Sequence, residues 1–237
     1  AHSMALLVGD AQHAMAMEIL AQSGLKGTLA PELVLFLISE LEGKVLPALL
    51  TGEVDDVFQT GISLETITAN EIILMLQRKT AALLTFSVVA GGMVGLGKAD
   101  PLHPFIQALR SYSENLGVAF QLRDDILGIQ GDEKKLGKPV GSDFKEGKRT
   151  LAVKIAYENA SPAQKERIKY LLGKPDLSKD QVTELKILVE DLQGVTEVEE
   201  LASSHIQQSL AALEVLPDTI YRDHLVAIAD FTVSRQK

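Results

Sequence analysis

Residues 119–156 read AFQLRDDILGIQGDEKKLGKPVGSDFKEGKRTLAVKIA. Adjacent aspartates sit in an apolar run, and glycine, lysine and more acid follow. On a helix, Gln121, Asp124, Asp125 and Gly128 fall at i, i+3, i+4 and i+7, one side of the cylinder, while Leu122, Ile126 and Ile129 lie elsewhere and can pack. Such a polar row on a mostly apolar helix is expensive to bury unless something compensates it. Two neighbouring carboxylates repel each other, and a hard divalent cation such as Mg²⁺ relieves that repulsion. Mg²⁺ in turn prefers few protein carboxylates plus phosphate oxygens and water. Lys138 and Lys148 then supply positive charge for phosphates from a glycine-rich loop that can close over them. The bland alternative is a solvated acidic face with loop lysines. An EF-hand does not fit, because DDILGIQGDE lacks alternating ligands.

Composition narrows the choices. The 237 residues are 46% hydrophobic and 23% charged, as expected of a folded protein. A formal charge of −9 argues against generic binding to nucleic acid or to an anionic membrane. The chain has no cysteine, so disulfides, thiol catalysis and zinc–thiolate sites are excluded. Its five histidines scatter without metal-ligand spacing and read as surface or core residues. The uncharged run from Thr80 to Gly97 just reaches membrane-spanning length. It continues a helical pattern carrying Arg78 and Lys79, so it reads as a helix buried on all sides in a soluble, cytoplasmic bundle, not a membrane span.

The elements that must position these residues are helices throughout. APELVLFLISELEGKVLPALLTG has Pro31 at a helix start, Gly52 at its expected end and Pro47 as an expected kink. Thr68 and Glu71 stand in capping-box spacing, as do Ser161 and Gln164. A long helix is expected from Pro101 to Ile129, and amphipathic segments fill the chain beyond residue 150. No sustained alternation marks a strand and no repeat appears. The architecture expected is one all-α domain.

The whole stretch FQLRDDILGIQGDEKKLGKPVGSDFKEGKRT resembles the second aspartate-rich region of the trans-polyprenyl diphosphate synthases, the farnesyl and geranylgeranyl diphosphate synthase family. Other landmarks agree. MALLVGDAQHAMAMEIL resembles that family's helix with a Gly-Asp pair, here Gly9 and Asp10. LTGEVDDV resembles its Gly-Gln/Glu-x-x-Asp element, with Glu53 and Asp56, and RKTAALL carries its Lys-Thr pair as Lys79 and Thr80.

The resemblance implies an isoprenoid-synthase-like helical bundle around a central cavity, as one domain over residues 1–237, working as a homodimer. It implies a Mg²⁺-dependent prenyltransferase that joins isopentenyl diphosphate to an allylic diphosphate (dimethylallyl, geranyl or farnesyl). Asp124 and Asp125 resemble the family's Mg²⁺ ligands. Lys79, Lys138 and Lys148 resemble the lysines that hold the allylic diphosphate, and Thr80, Gln121 and Asp56 the polar groups beside the reacting carbons. That chemistry asks for cations around a departing diphosphate, and for oxygen dipoles and apolar walls around the carbocation left behind.

Two departures matter. The last position of the second motif is Gly128, which removes a third carboxylate there. The family's first aspartate-rich motif belongs upstream of the Gly-Asp helix, and no Asp-Asp-x-x-Asp occurs in these residues. An N-terminal portion outside them is therefore expected. The alternative is a non-catalytic subunit that modulates an active partner. A terpene cyclase of the same fold fits poorly, since its metal motif is not matched at 125–130.

Overall fold

The computed structural model describes residues 2–130 and 141–234, and no strand occurs among them. Helix α1 (His2–Leu25) is followed by α2 (Pro31–Glu40) and α3 (Leu46–Gln59), which join through a π-helical turn at Leu41–Val45. Helix α4 (Ala69–Leu76) runs into α5 (Ala82–Leu96) through a second π turn at Gln77–Ala81. Then come α6 (Pro104–Gln130), the short α7 (Ser142–Glu146), α8 (Leu151–Asn159), α9 (Pro162–Leu171), α10 (Lys179–Asp191), α11 (Gly194–Ala212) and α12 (Ile220–Ser234).

Local chemistry sets the starts. Thr68 and Glu71 form a reciprocal capping box on α4, and Ser161 and Gln164 form one on α9, as their spacing predicts. Ser178 and Gln181 do the same for α10. His103 caps α6, its Nδ1 accepting from the Phe105 N–H at 3.2 Å ahead of Pro104. His205 is held by Asn115 Oδ1 at 2.8 Å, and burial pushes it below the usual histidine range.

Helix α6 organises the packing. At 1.5 Å per residue its 27 residues span about 40 Å. Ile106 packs with Leu33, Leu37, Val89 and Met93 of α2 and α5. Tyr112, Leu116 and Ala119 meet Ile206 of α11 and Ala229 of α12. Val118, Leu122, Ile126 and Ile129 enter the largest cluster, shared with α4, α8, α9, α10 and α11. Leu122, Ile126 and Ile129 thus pack as their spacing requires.

Two sequence expectations change, and the irregularity expected at Pro47 takes a particular form. Gly52 does not end its helix, because α3 continues to Gln59. Its role is steric: a Cβ there would collide with the backbone nitrogen of Lys79. Pro47 lacks the N–H that a regular turn needs, and the irregularity takes the form of the π turn before it, where the Leu46 N–H reaches the Leu41 carbonyl. The apolar run in α5 is not buried on all sides. Ala69–Leu96 is long and apolar enough to cross a membrane by length and composition, yet only 33% of its most apolar window is buried. Leu83, Ser87, Gly91 and Val94, spaced i, i+4, i+8 and i+11, form an exposed stripe, while Thr85, Val89 and Met93 face inward.

Candidate active site

The second π turn carries Arg78, Lys79 and Thr80, and two glycines allow it to lie against its neighbours. Gly52 admits it against α3, while on the other side a Cβ at Gly117 of α6 would stand 2.5 Å from the Ala81 Cα. Neither position has room for any side chain. The turn is therefore wedged between α3 and α6, and its extra residue rotates the following face by about 100°. Consecutive side chains then reach opposite walls. Lys79 Nζ meets Asp56 Oδ2 at 2.7 Å and Glu53 at 3.3 Å on α3, and Arg78 pairs with Asp55 at 2.9 Å. Thr80 Oγ1 donates to Gln121 Oε1 of α6 at 2.8 Å.

Gln121 passes this polarity on. Its Nε2 donates to Asp125 Oδ1 at 3.0 Å, one helical turn along. Asp125 is partly exposed as a residue, but its carboxyl group is buried. Burial, aided by the charges of Asp143 and Asp124, pushes that carboxyl up to about 7 against the opposing pull of Gln121 and Lys148.

The third wall comes from α7 and the turn after it. Gly141 N–H donates to the Gly128 carbonyl at 3.2 Å, which anchors α7 to α6. Gly141 and Gly147 bound α7 in left-handed conformations with φ of 79° and 74°. The Lys148 N–H closes back onto the Asp143 carbonyl at 2.9 Å, a Schellman-type end. Lys148 Nζ lies 3.3 Å from buried Asp143 and 3.5 Å from Glu146. Burial opposes charge on both Lys79 and Lys148, but neighbouring carboxylates outweigh it and hold each ammonium above the ordinary lysine range.

Asp56, Lys79, Gln121, Asp125 and Lys148 therefore line one cavity, together with Met75, Leu76, Arg149 and Thr150. Its volume is about 30 Å³, space for about two waters and too small for a diphosphate. Thr80 joins through Gln121. Asp124 lies beside the cavity, outside its lining, and acts on Asp125 through its charge. Lys138 falls outside the described residues. Arg149 was not singled out by sequence, since its neighbours are brought to it only by the fold. A larger groove of about 550 Å³ between α9 and α10 shares none of these residues, and its Arg167 and Glu184 bind each other at 2.6 and 2.7 Å.

The donor set suits a hard cation that expects help from its substrate. Among the described residues no three His, Asp or Glu side chains gather as a metal cluster. What the site offers is an aspartate pair, with one carboxyl so poorly compensated that it resists ionising. A divalent ion completed by phosphate oxygens and water would remove that penalty.

Comparison with known proteins decides the lineage. A sequence model described as polyprenyl synthetase matches residues 1–189. The chain belongs to the polyprenyl synthetase family. Its fold is that family's all-α isoprenoid synthase fold, and its relatives are prenyltransferases. It is 33% identical to a short chain isoprenyl diphosphate synthase of Methanothermobacter thermautotrophicus, over 98% of this chain and 67% of the relative. It is 31% identical to a geranylgeranyl diphosphate synthase of Saccharolobus solfataricus, over 99% and 68%. A geranylgeranyl pyrophosphate synthetase structure from Pyrococcus horikoshii superposes with a TM-score of 0.84 at 35% identity, over 98% of this chain and 67% of that one. A Caulobacter crescentus polyprenyl synthase complexed with calcium and isoprenyl diphosphate gives 0.85 at 28% identity, over 99% and 67%. The chain spans about two thirds of the length of these relatives.

Proposed function

We propose that the protein is a Mg²⁺-dependent prenyltransferase that condenses isopentenyl diphosphate with an allylic diphosphate to give a short-chain polyprenyl diphosphate. The observation that carries this reading is the convergence of Lys79, Lys148, Gln121, Asp125 and Asp56 on one cavity from four separate elements. Asp124 and Asp125 would hold Mg²⁺, which when bound neutralises charge growing on the departing diphosphate. Lys79 and Lys148 bind the same group by exchanging carboxylate partners for phosphate oxygens. Thr80 and Gln121 hold each other so that their oxygen dipoles stand near the allylic carbons, and Met75 and Leu76 supply apolar wall. Lys138 is assigned to the diphosphate on the sequence alone.

In this reading residues 1–237 form one cytoplasmic domain, supported by the passage of α6 through all three core clusters. A homodimer would cover apolar residues that α1 and α3 leave exposed, among them Leu6, Leu7, Ile19, Val54 and Phe58. The relatives named above are synthases, which does not favour the modulating-subunit alternative. Incubating the full-length protein with Mg²⁺, isopentenyl diphosphate and dimethylallyl, geranyl or farnesyl diphosphate tests the proposal. Elongation of at least one allylic substrate is expected, and elongation of none would refute it.

A further inference from the structure

Arg149 lines the cavity beside its chain neighbour Lys148, yet it ends on backbone, not on an acid. Its Nη1 donates to the Gly147 carbonyl at 2.7 Å and its Nε to the Ile62 carbonyl at 2.8 Å. Among the described residues no carboxylate lies within ion-pair distance of it. Burial alone holds the half-buried guanidinium below the ordinary arginine range. A cation placed there without an acid needs another explanation than charge pairing.

The two carbonyls supply one. Gly147 immediately precedes Lys148 and carries the left-handed turn that aims it. Ile62 belongs to the turn that closes α3, its N–H donating to the Gln59 carbonyl at 2.9 Å. Helix α3 presents Asp56 and Glu53 to Lys79. The fork therefore ties the wall holding Lys148 to the wall that pairs with Lys79. Two further straps join the same segment to α8: Lys154 Nζ to the Leu64 carbonyl at 3.0 Å, and Tyr157 Oη to Glu65 at 3.0 Å. Neither Lys154 nor Tyr157 lines the cavity. Only the Arg149 strap acts at its edge.

We propose that Arg149 is a positioning residue that sets where the Lys148 ammonium stands relative to Lys79, by clipping the Gly147 and Ile62 carbonyls together. The planar fork is what the task requires, since one lysine ammonium cannot reproduce its two fixed directions. The inference rests on the reading of this cavity as a diphosphate site.

The test measures binding of inorganic pyrophosphate with Mg²⁺ to the full-length protein by calorimetry, beside kcat and KM for an allylic diphosphate. Arg149→Met and Arg149→Lys are both expected to weaken pyrophosphate binding and raise KM about tenfold, as displaced binding groups do. Their Tm should fall no further than that of Tyr157→Phe, which cuts a strap away from the cavity and leaves pyrophosphate binding intact. If Arg149→Met does not fold, Arg149→Lys, which keeps the stem and charge, decides. Wild-type binding by Arg149→Lys would show that charge suffices and overturn the proposal. In a Lys148→Ala background Arg149→Met should cost nothing more, because it acts through that lysine. A fully additive loss would also overturn it. Wild-type protein that fails to bind pyrophosphate would bring down the reading of the site, and this inference with it. Binding by wild type and Arg149→Met alike would overturn the inference alone.

Discussion

Replacing Asp125 by asparagine should make the metal-free protein more stable while removing its activity. The carboxyl is pushed from an ordinary 3.8 up to about 7, chiefly by burial. A shift of about three units at 1.4 kcal/mol each sets a ceiling of about 4 kcal/mol. Water reaching the partly exposed residue lowers the expected effect to about 1–3 kcal/mol. The sign follows from proton counting. Because the folded-state pKa is raised, the folded state binds the proton more tightly than the unfolded chain does. The stabilisation is fully present below about pH 4 and is lost as pH rises through about 7. Asparagine does not titrate, and its Oδ1 can still accept from Gln121 Nε2. Urea unfolding with chelator should therefore find Asp125→Asn more stable than wild type at pH 8, with the difference shrinking at pH 5. Adding Mg²⁺ and pyrophosphate should stabilise wild type far more than the variant. A variant less stable at pH 8, or a difference independent of pH, would refute the reasoning.

Gly52→Ala should destabilise by about 1–3 kcal/mol through overpacking and lower kcat/KM, because the displaced atoms are the backbone of Lys79; urea unfolding and steady-state kinetics check this. Glu53→Gln should lower KM for the allylic diphosphate up to about fivefold, since it removes one exposed competitor for Lys79 worth at most about 1 kcal/mol. An unchanged KM would show that Asp56 alone holds the lysine. Thr80→Val should reduce kcat about fivefold, the equivalent of one net hydrogen bond of about 1 kcal/mol, with little change in KM. A loss confined to KM would place Thr80 on the diphosphate and away from the reacting carbons.

Features decided within four or five residues were legible from sequence. The capping boxes at Thr68 and Ser161 were visible as spacing, and Ser178 with Gln181 obeys the same rule. The polar row on α6 was visible too, because helical geometry alone puts Gln121 and Asp125 on one side. What stayed hidden depends on partners distant in the chain. Gly52 carries the composition signal of a helix end, and only the proximity of Lys79 shows that it is a contact glycine. The burial of α5 could not be read from its apolarity, because that depends on which neighbours cover each side. Arg149 carries no signal in its own neighbours, and its part in the site depends on Ile62, which only the fold places against it.

The charges in the site argue for its order of events. In the proposed reading the two described lysines assigned to the diphosphate are already paired when no ligand is bound: Lys79 with Asp56 and Glu53, Lys148 with Asp143 and Glu146. Those pairings neutralise the lysines, hold their ammonium groups charged and leave a cavity with room only for water. Asp125 is the opposite case, a carboxyl whose buried surroundings favour its proton. A diphosphate arriving alone would bring negative charge towards Asp124 and Asp125 while competing with four acids for two lysines. The same anion arriving with a divalent cation would meet carboxylates that gain from the cation, and its phosphate oxygens would replace the acids on Lys79 and Lys148. Cation and diphosphate thus favour each other's binding through Asp125, so affinity for pyrophosphate should rise steeply with Mg²⁺ and should lose that dependence in Asp125→Asn. Calorimetric titration of pyrophosphate at several Mg²⁺ concentrations measures this, and an equal dependence in the two proteins would place the cation elsewhere.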